Sequence, residues 1–331
     1  MKTASTSRWA FLFGGVLAIS GILYLSSFSA EEKREDDLYN DHVKSNYKVY
    51  SLSTPEEMTF AGEDVPLNQI DVKEKLDREL LVNTYWHSNT FLMHKRANRW
   101  FPVIEPILKE NGVPEDFKYL SLIESGFENV VSPAGATGFW QFLESTGREY
   151  GLEINNEVDE RYNVEKSTAA ACEYLKDAYE IYGDWSLVAA SYNMGRAGVN
   201  RQLARQKVDR YWDLLLNAET GRYVYRILAV KEILNNSGNY GFHLRPKDLY
   251  PPYETVIDTV DYSVENFAIW ANERGINYKT LKTLNPWLRE SYLNNRTGKA
   301  YEVKLPEDKS KWLGEVEEEK VEPTEKVMPN N

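Results

Sequence analysis

The chain has 331 residues, long enough for one sizeable core with one or two smaller attachments. Its 39 lysines and arginines against 51 aspartates and glutamates leave a formal net charge of −12, and no basic cluster suits a phosphate backbone, which argues against a nucleic-acid partner. The single cysteine, Cys172, excludes a disulfide framework, and the four histidines (His42, His87, His94, His243) lack ligand spacing, so no metal and no cofactor is expected.

In chain order, Lys2 and Arg8 precede the apolar run "WAFLFGGVLAISGILYL" (9–25), which is followed by the small residues "SSFSA" and the charged "EEKREDD". This arrangement predicts an export signal over 1–30, and hence work outside the cytoplasm, in the periplasm or cell envelope. Ser27 and Ser29 suit cleavage, whereas the run approaches the ~20 residues that span a bilayer, so cleavage and retention as a membrane anchor through 9–25 both stay open. No cysteine stands immediately after the run, which argues against a lipoprotein. Residues 31–68 read as a polar spacer.

A main domain is expected over 69–245. Val72, Leu76, Leu80 and Leu81 recur at helical spacing, and "RANRWFPVIEPILKENGVP" (96–114) reads as helical segments broken by Pro102 and Pro106. Further helices are predicted over 114–125, 138–149, 164–182, 184–192, 195–205 and 219–235, with no convincing two-residue alternation, so the domain is mainly α. Cys172 falls on such a pattern and reads as a small buried packing residue. His87 and His94 read as packing or surface residues. From 250 to 311 a strand at "TVIDTV", two short helices and a strand at "YEVKLP" form a β-α-α-β module, and 312–331 is an acidic tail without apolar period.

Chemistry gathers in three segments. In "DFKYLSLIESGF" (116–127), Phe117, Leu120 and Glu124 fall at i, i+3 and i+7, one face of a helix. A carboxylate on that face loses hydration, which raises its pKa and suits a general acid. A helix-end glutamate paired with a lysine or arginine is the competing reading, and periodicity does not exclude it. "SPAGATGFWQF" (132–142) sets Gly135 and Gly138 around a tight turn, with Trp140 as core and the Gln141 amide beside it. "AASYNMGRAGV" (189–199) ends an apolar helix at Tyr192 and Asn193.

Together with "ESGF" (124–127) and "ETGRYVYRILA" (219–229), these segments resemble the lytic transglycosylases of glycoside hydrolase family 23, in the family's order and over roughly 70–240. Ser191 stands where the family usually has alanine. The resemblance implies a lysozyme-like catalytic domain, of the goose-type and soluble lytic transglycosylase kind. It also implies cleavage of the β-1,4 bond between N-acetylmuramic acid and N-acetylglucosamine in peptidoglycan, with a 1,6-anhydro end. Glu124 would be general acid and then base. Ser132 and Tyr223 would border the substrate's N-acetyl group, and Gln141, Tyr192 and Asn193 would orient sugar or Glu124. The partner is then the glycan strand, and the expected state is a monomer.

Goose-type lysozymes share this fold and hydrolyse the same bond, with Glu128, Glu144, Asp159 and Glu160 available here as a second carboxylate. A silent glycan-binding scaffold is the third reading. The C-terminal module resembles a LysM-type domain, but "DYSVENF" replaces the usual Gly-Asp-Thr-Leu turn, and packing competes with glycan binding as its role.

Overall fold

The computed structural model describes residues 34–41 and 50–313, so the apolar run at 9–25 and the tail from 314 lie outside the described residues. The chain divides into two units between Ser51 and Leu52, and of the first, residues 34–41 are a helix.

Within the second unit, packing starts earlier than the polar composition of 31–68 predicts. Strands β1 (Thr59–Phe60) and β2 (Glu63–Asp64) form an antiparallel hairpin turning at Ala61 and Gly62. Phe60, Val65 and Leu67 are buried in the main core, and Phe60 meets Phe117 at 5.4 Å between ring centroids. Isolated apolar residues in a hairpin carry no period, which is why a search for periodicity passes over them.

Helices α1 (Ile70–Tyr85), α2 (His87–Glu110), α3 (Phe117–Ser125), α4 (Glu144–Glu149), α5 (Val164–Tyr182), α6 (Trp185–Met194), α7 (Arg196–Gln206) and α8 (Thr220–Asn235) build the main domain. α1 packs on α8, α2 on α5, α5 on α6, and α3 between α8 and α2, around fully buried Leu120, Val188 and Val224. The break expected at the prolines does not occur: α2 is continuous through Pro102 and Pro106. Each proline forfeits a single helix hydrogen bond, and the burial of Ile104 and Leu108 holds the turns against the core.

The helix predicted over 114–125 begins later, at Phe117, after a turn in which Phe117, Lys118 and Tyr119 donate to the carbonyls three residues back. Asp116 therefore serves tertiary structure instead of a helix end: it accepts from the Ala61 amide at 2.7 Å and pairs with Lys231 of α8 at 2.6 Å. Of the helix predicted over 138–149 only α4 forms. Left-handed backbone at Gly138 (φ 78°) and Gln141 (φ 49°) turns the preceding stretch away from helical geometry.

The β-α-α-β module is observed. β3 (Thr255–Val260) pairs antiparallel with β4 (Tyr301–Pro306), Thr255 opposite Pro306 and Val260 opposite Tyr301. α9 (Phe267–Glu273) and α10 (Tyr278–Leu284) cover the ribbon. Its core, with Val260, Phe267, Leu281 and Val303, also takes in Val158 and Tyr162 of the main domain. At this seam Val158 bridges to Leu288, the Asp159 amide donates to the Trp287 carbonyl at 2.9 Å, and the Arg289 amide to the Glu157 carbonyl at 2.8 Å. Trp312, placed in the tail by composition, lies instead in α11 (Ser310–Leu313) and packs on Tyr253 at 5.2 Å.

Candidate active site

Helix α3 places Glu124 one turn beyond Leu120 and ends at Gly126, whose left-handed φ of 61° reverses the chain. Phe117 and Leu120 are fully buried, and Glu124, on the same face, is half-buried. The Tyr223 hydroxyl, from α8, donates to Glu124 Oε1. Burial pushes the Glu124 carboxyl up, the Tyr223 hydrogen bond and the Arg226 charge pull it down, and the Glu219 charge pushes it up, leaving it raised. Among the described residues no lysine or arginine forms an ion pair with Glu124, so the reading of a paired helix-end glutamate fails.

Burial, and after it the Glu124 charge, holds the Tyr192 and Tyr223 phenols well above 10, so both remain proton donors. Tyr192 spends its proton on the Trp140 carbonyl at 2.7 Å. Trp140 is fully buried, with its indole N–H on Thr168 Oγ1 at 2.9 Å, and is core, as its spacing predicts.

The Gly-rich segment 131–143 is strapped to its surroundings on several sides. Ser125 Oγ donates to the Phe139 carbonyl at 3.0 Å, and Arg161 Nη1 donates to the carbonyls of Gly135 and Phe142, both at 3.2 Å. A Cβ at Gly138 would lie 2.1 Å from the Arg161 carbonyl oxygen, so only glycine fits there. Ser132 Oγ accepts from the Ala136 amide at 3.0 Å, closing the turn. Gln141 folds its amide back onto the carbonyls of Gly138 at 2.8 Å and Val130 at 3.2 Å. Asn193 ties the end of α6 to the start of α8, accepting from Thr220 Oγ1 at 2.7 Å and donating to Glu219 Oε1 at 3.2 Å.

Thus Tyr223 touches Glu124 and Tyr192 interacts with it electrostatically, whereas Ser132, Gln141 and Asn193 brace the neighbouring segments and make no hydrogen bond to it. The four acids considered as a second carboxylate are engaged elsewhere. Glu128 pairs with Arg96, Glu144 with Arg148 at 2.9 Å, Asp159 with Arg161 at 2.7 Å, and Glu160 with Lys166. The acid that acts on Glu124 is Glu219, which the sequence reading missed, along with Arg226 and Arg161. Glu219 and Arg226 lie four residues before and three after Tyr223, so helical spacing from that tyrosine was the available signal. Arg161 carried none.

Cys172 is buried and its thiol is pushed up to about 12 by burial, as for a packing residue. Among the described residues no group of three histidines, cysteines or acids is placed to hold a metal ion.

Residues 101–215 match the transglycosylase SLT domain, and residues 257–309 the soluble lytic transglycosylase C-terminal LysM-like domain. Over 228 residues the chain is 33% identical to the membrane-bound lytic murein transglycosylase D of Escherichia coli strain K12, and equally to that of strain CFT073, covering 67% of this chain and 49% of each relative. The chain spans about half the length of these curated relatives. Among solved structures, an inactive mutant of lytic transglycosylase Slt from Pseudomonas aeruginosa is similar at a TM-score of 0.35 and 19% identity, over 46% of this chain and 26% of that one. The chain belongs to the transglycosylase SLT family, with Glu124 inside the matched domain and a LysM-like domain behind it.

Proposed function

We propose that the chain is a peptidoglycan lytic transglycosylase that cleaves the β-1,4 bond between N-acetylmuramic acid and N-acetylglucosamine and leaves a 1,6-anhydro end. The observation that carries this reading is a half-buried carboxyl, Glu124, held by a phenol, in no ion pair among the described residues, and raised by burial. Such a group stays protonated to higher pH and gives its proton to the glycosidic oxygen as the bond to C1 breaks. The substrate's N-acetyl oxygen then stabilises C1, so no second protein carboxylate is required, unlike the usual pair of glycosidase acids. The Glu124 carboxylate next takes the proton of the 6-hydroxyl while that oxygen closes on C1. The acid is regenerated and no water is consumed.

In this reading Tyr223 orients Glu124 directly and, with Ser132, borders the N-acetyl group. Tyr192 and Gln141 are positioning residues that act through the Gly-rich segment, and Asn193 acts through the start of α8. The enzyme works on glycan strands in the cell envelope, as a monomer without cofactor, a location supported by the "membrane-bound" name of the relatives and by the apolar run at 9–25. Among the described residues no helix is long and apolar enough to cross a membrane.

One observation favours hydrolysis instead: Glu219 lies close enough to raise Glu124, and it could serve a water molecule. Mass spectrometry of digested peptidoglycan separates the two. Anhydro ends from the wild type and none from Glu124→Gln are expected; reducing ends would transfer the reading to hydrolysis, and full activity in Glu124→Gln would end both.

A further inference from the structure

A cavity of about 550 Å³ opens where the Gly-rich segment, the 155–162 segment and the LysM-like domain meet. Glu124, Tyr192 and Tyr223 do not line it; Thr137, Asn156, Asp159, Arg161, Tyr162 and Arg289 do. Its size falls among small-ligand sites, and its walls are polar.

The charged groups in these walls are unequally occupied. Arg161 is fully engaged, its fork on Asp159 at 2.9 and 2.7 Å and its remaining nitrogen on two carbonyls. Asp159 is thereby neutralised, and Glu144 at the rim pairs with Arg148 at 2.9 Å. Arg289 is different. It is exposed, held by one bond from Nη1 to the Pro286 carbonyl at 2.8 Å, and laid over the Tyr162 ring at 4.1 Å. The rest of its fork has no partner among the described residues, nor has the side-chain amide of Asn156. A guanidinium held over a ring with an open edge is prepared for a planar carboxylate.

The cavity also adjoins the Gly-rich segment that carries Ser132 and Gln141, and Val131, Gly135 and Thr137 of that segment line it. The backbone bond from Arg289 to Glu157 and the bridge between Val158 and Leu288 fix Arg289 to the 155–162 segment, whose Arg161 in turn holds the Gly135 and Phe142 carbonyls.

We propose that this cavity binds the carboxylate-bearing peptide arm of the peptidoglycan strand, with Arg289 of the LysM-like domain as carboxylate anchor and Asn156 as a second donor. The inference rests on peptidoglycan as substrate. It makes the LysM-like domain one wall of a composite site.

The test is calorimetric titration of a soluble disaccharide-tetrapeptide, and of the same molecule with its peptide carboxylates amidated, into Glu124→Gln protein. The same titrations are run on Glu124→Gln proteins that also carry Arg289→Ala or Arg289→Lys. The free-carboxylate ligand is expected to bind more tightly than the amidated one. Arg289→Ala should weaken only the former, about 5- to 10-fold, and Arg289→Lys should fall between. Equal affinity for the two ligands overturns the proposal, as does an equal loss for both in Arg289→Ala, or no loss for either. Binding is read without turnover, so failure of the transglycosylase reading shows separately, in the product analysis.

Discussion

The proposed mechanism rests on a single residue, Glu124, and its environment makes two predictions with opposite signs. Its folded pKa lies above the ordinary value of 4.5, so ionisation disfavours the fold at neutral pH and does not at pH below that value. Glu124→Gln should therefore lose activity by roughly 10²–10⁴-fold while melting above the wild type at pH 7, with the gain vanishing toward pH 4. Thermal unfolding across that range checks it. Tyr223→Phe acts the other way on the same carboxyl. The phenol's hydrogen bond lowers the Glu124 pKa, so its loss raises it further, and the fall in kcat/KM at high pH should move to higher pH. A drop of about 10-fold in activity with that displaced limb is expected, whereas a uniform drop with no displacement would mean that Tyr223 acts only through packing. Periodicity put Glu124 on the buried face correctly, since a helix face is a local property. Glu219 could be reached only through its helical spacing from Tyr223, because it and Glu124 are 95 positions apart and meet only through the packing of α3 on α8.

Among the elements, the Gly-rich segment and α2 carry the sharpest expectations. Gly138 sits at φ 78° with no room for a methyl group beside the Arg161 carbonyl. Gly138→Ala should cost about 3 kcal/mol or more in denaturant unfolding, by displacing either the segment or Arg161. In α2, His94 is buried against Phe242 with its Nε2 unbonded, and burial pulls its pKa from 6.5 to about 4. A depressed histidine leaves the fold at full stability above pH 6.5 and weakens it as pH falls toward 4, by about 3 kcal/mol in all. His94→Leu should flatten that loss, which melting curves between pH 7 and 4 would show. Sequence periodicity located α5, α6 and α8 within a residue or two because their apolar repeats are long. It failed at 138–143, where two left-handed residues override a helical pattern, and at Pro102 and Pro106, where core contacts outweigh a local breaker.

For the whole molecule, the shared core of Val158 and Tyr162 with α9, α10 and the β3–β4 ribbon predicts a single cooperative unfolding transition for residues 52–313. Removing 250–331 would expose both residues and should lower the melting temperature of what remains, at about 1.5–3 kcal/mol for each large side chain uncovered. An unchanged melting temperature would show the LysM-like domain to be an independent appendage. Retention on peptidoglycan is consequently better tested with the Arg289 substitutions than with that truncation, which disturbs both domains. Local pattern sufficed for the mainly helical class, the β-α-α-β module, the family motifs and the placing of Glu124 on the helix face of Phe117 and Leu120, because each depends on residues close along the chain or on short patterns kept in order. Only tertiary packing settles which acid adjoins Glu124, that Arg161 pins the Gly-rich segment, that the hairpin at 59–64 belongs to the core, and that the LysM-like domain shares its core with the main one. Those outcomes depend on contacts between residues tens to more than a hundred positions apart, and such contacts are chosen by packing, not by any local pattern.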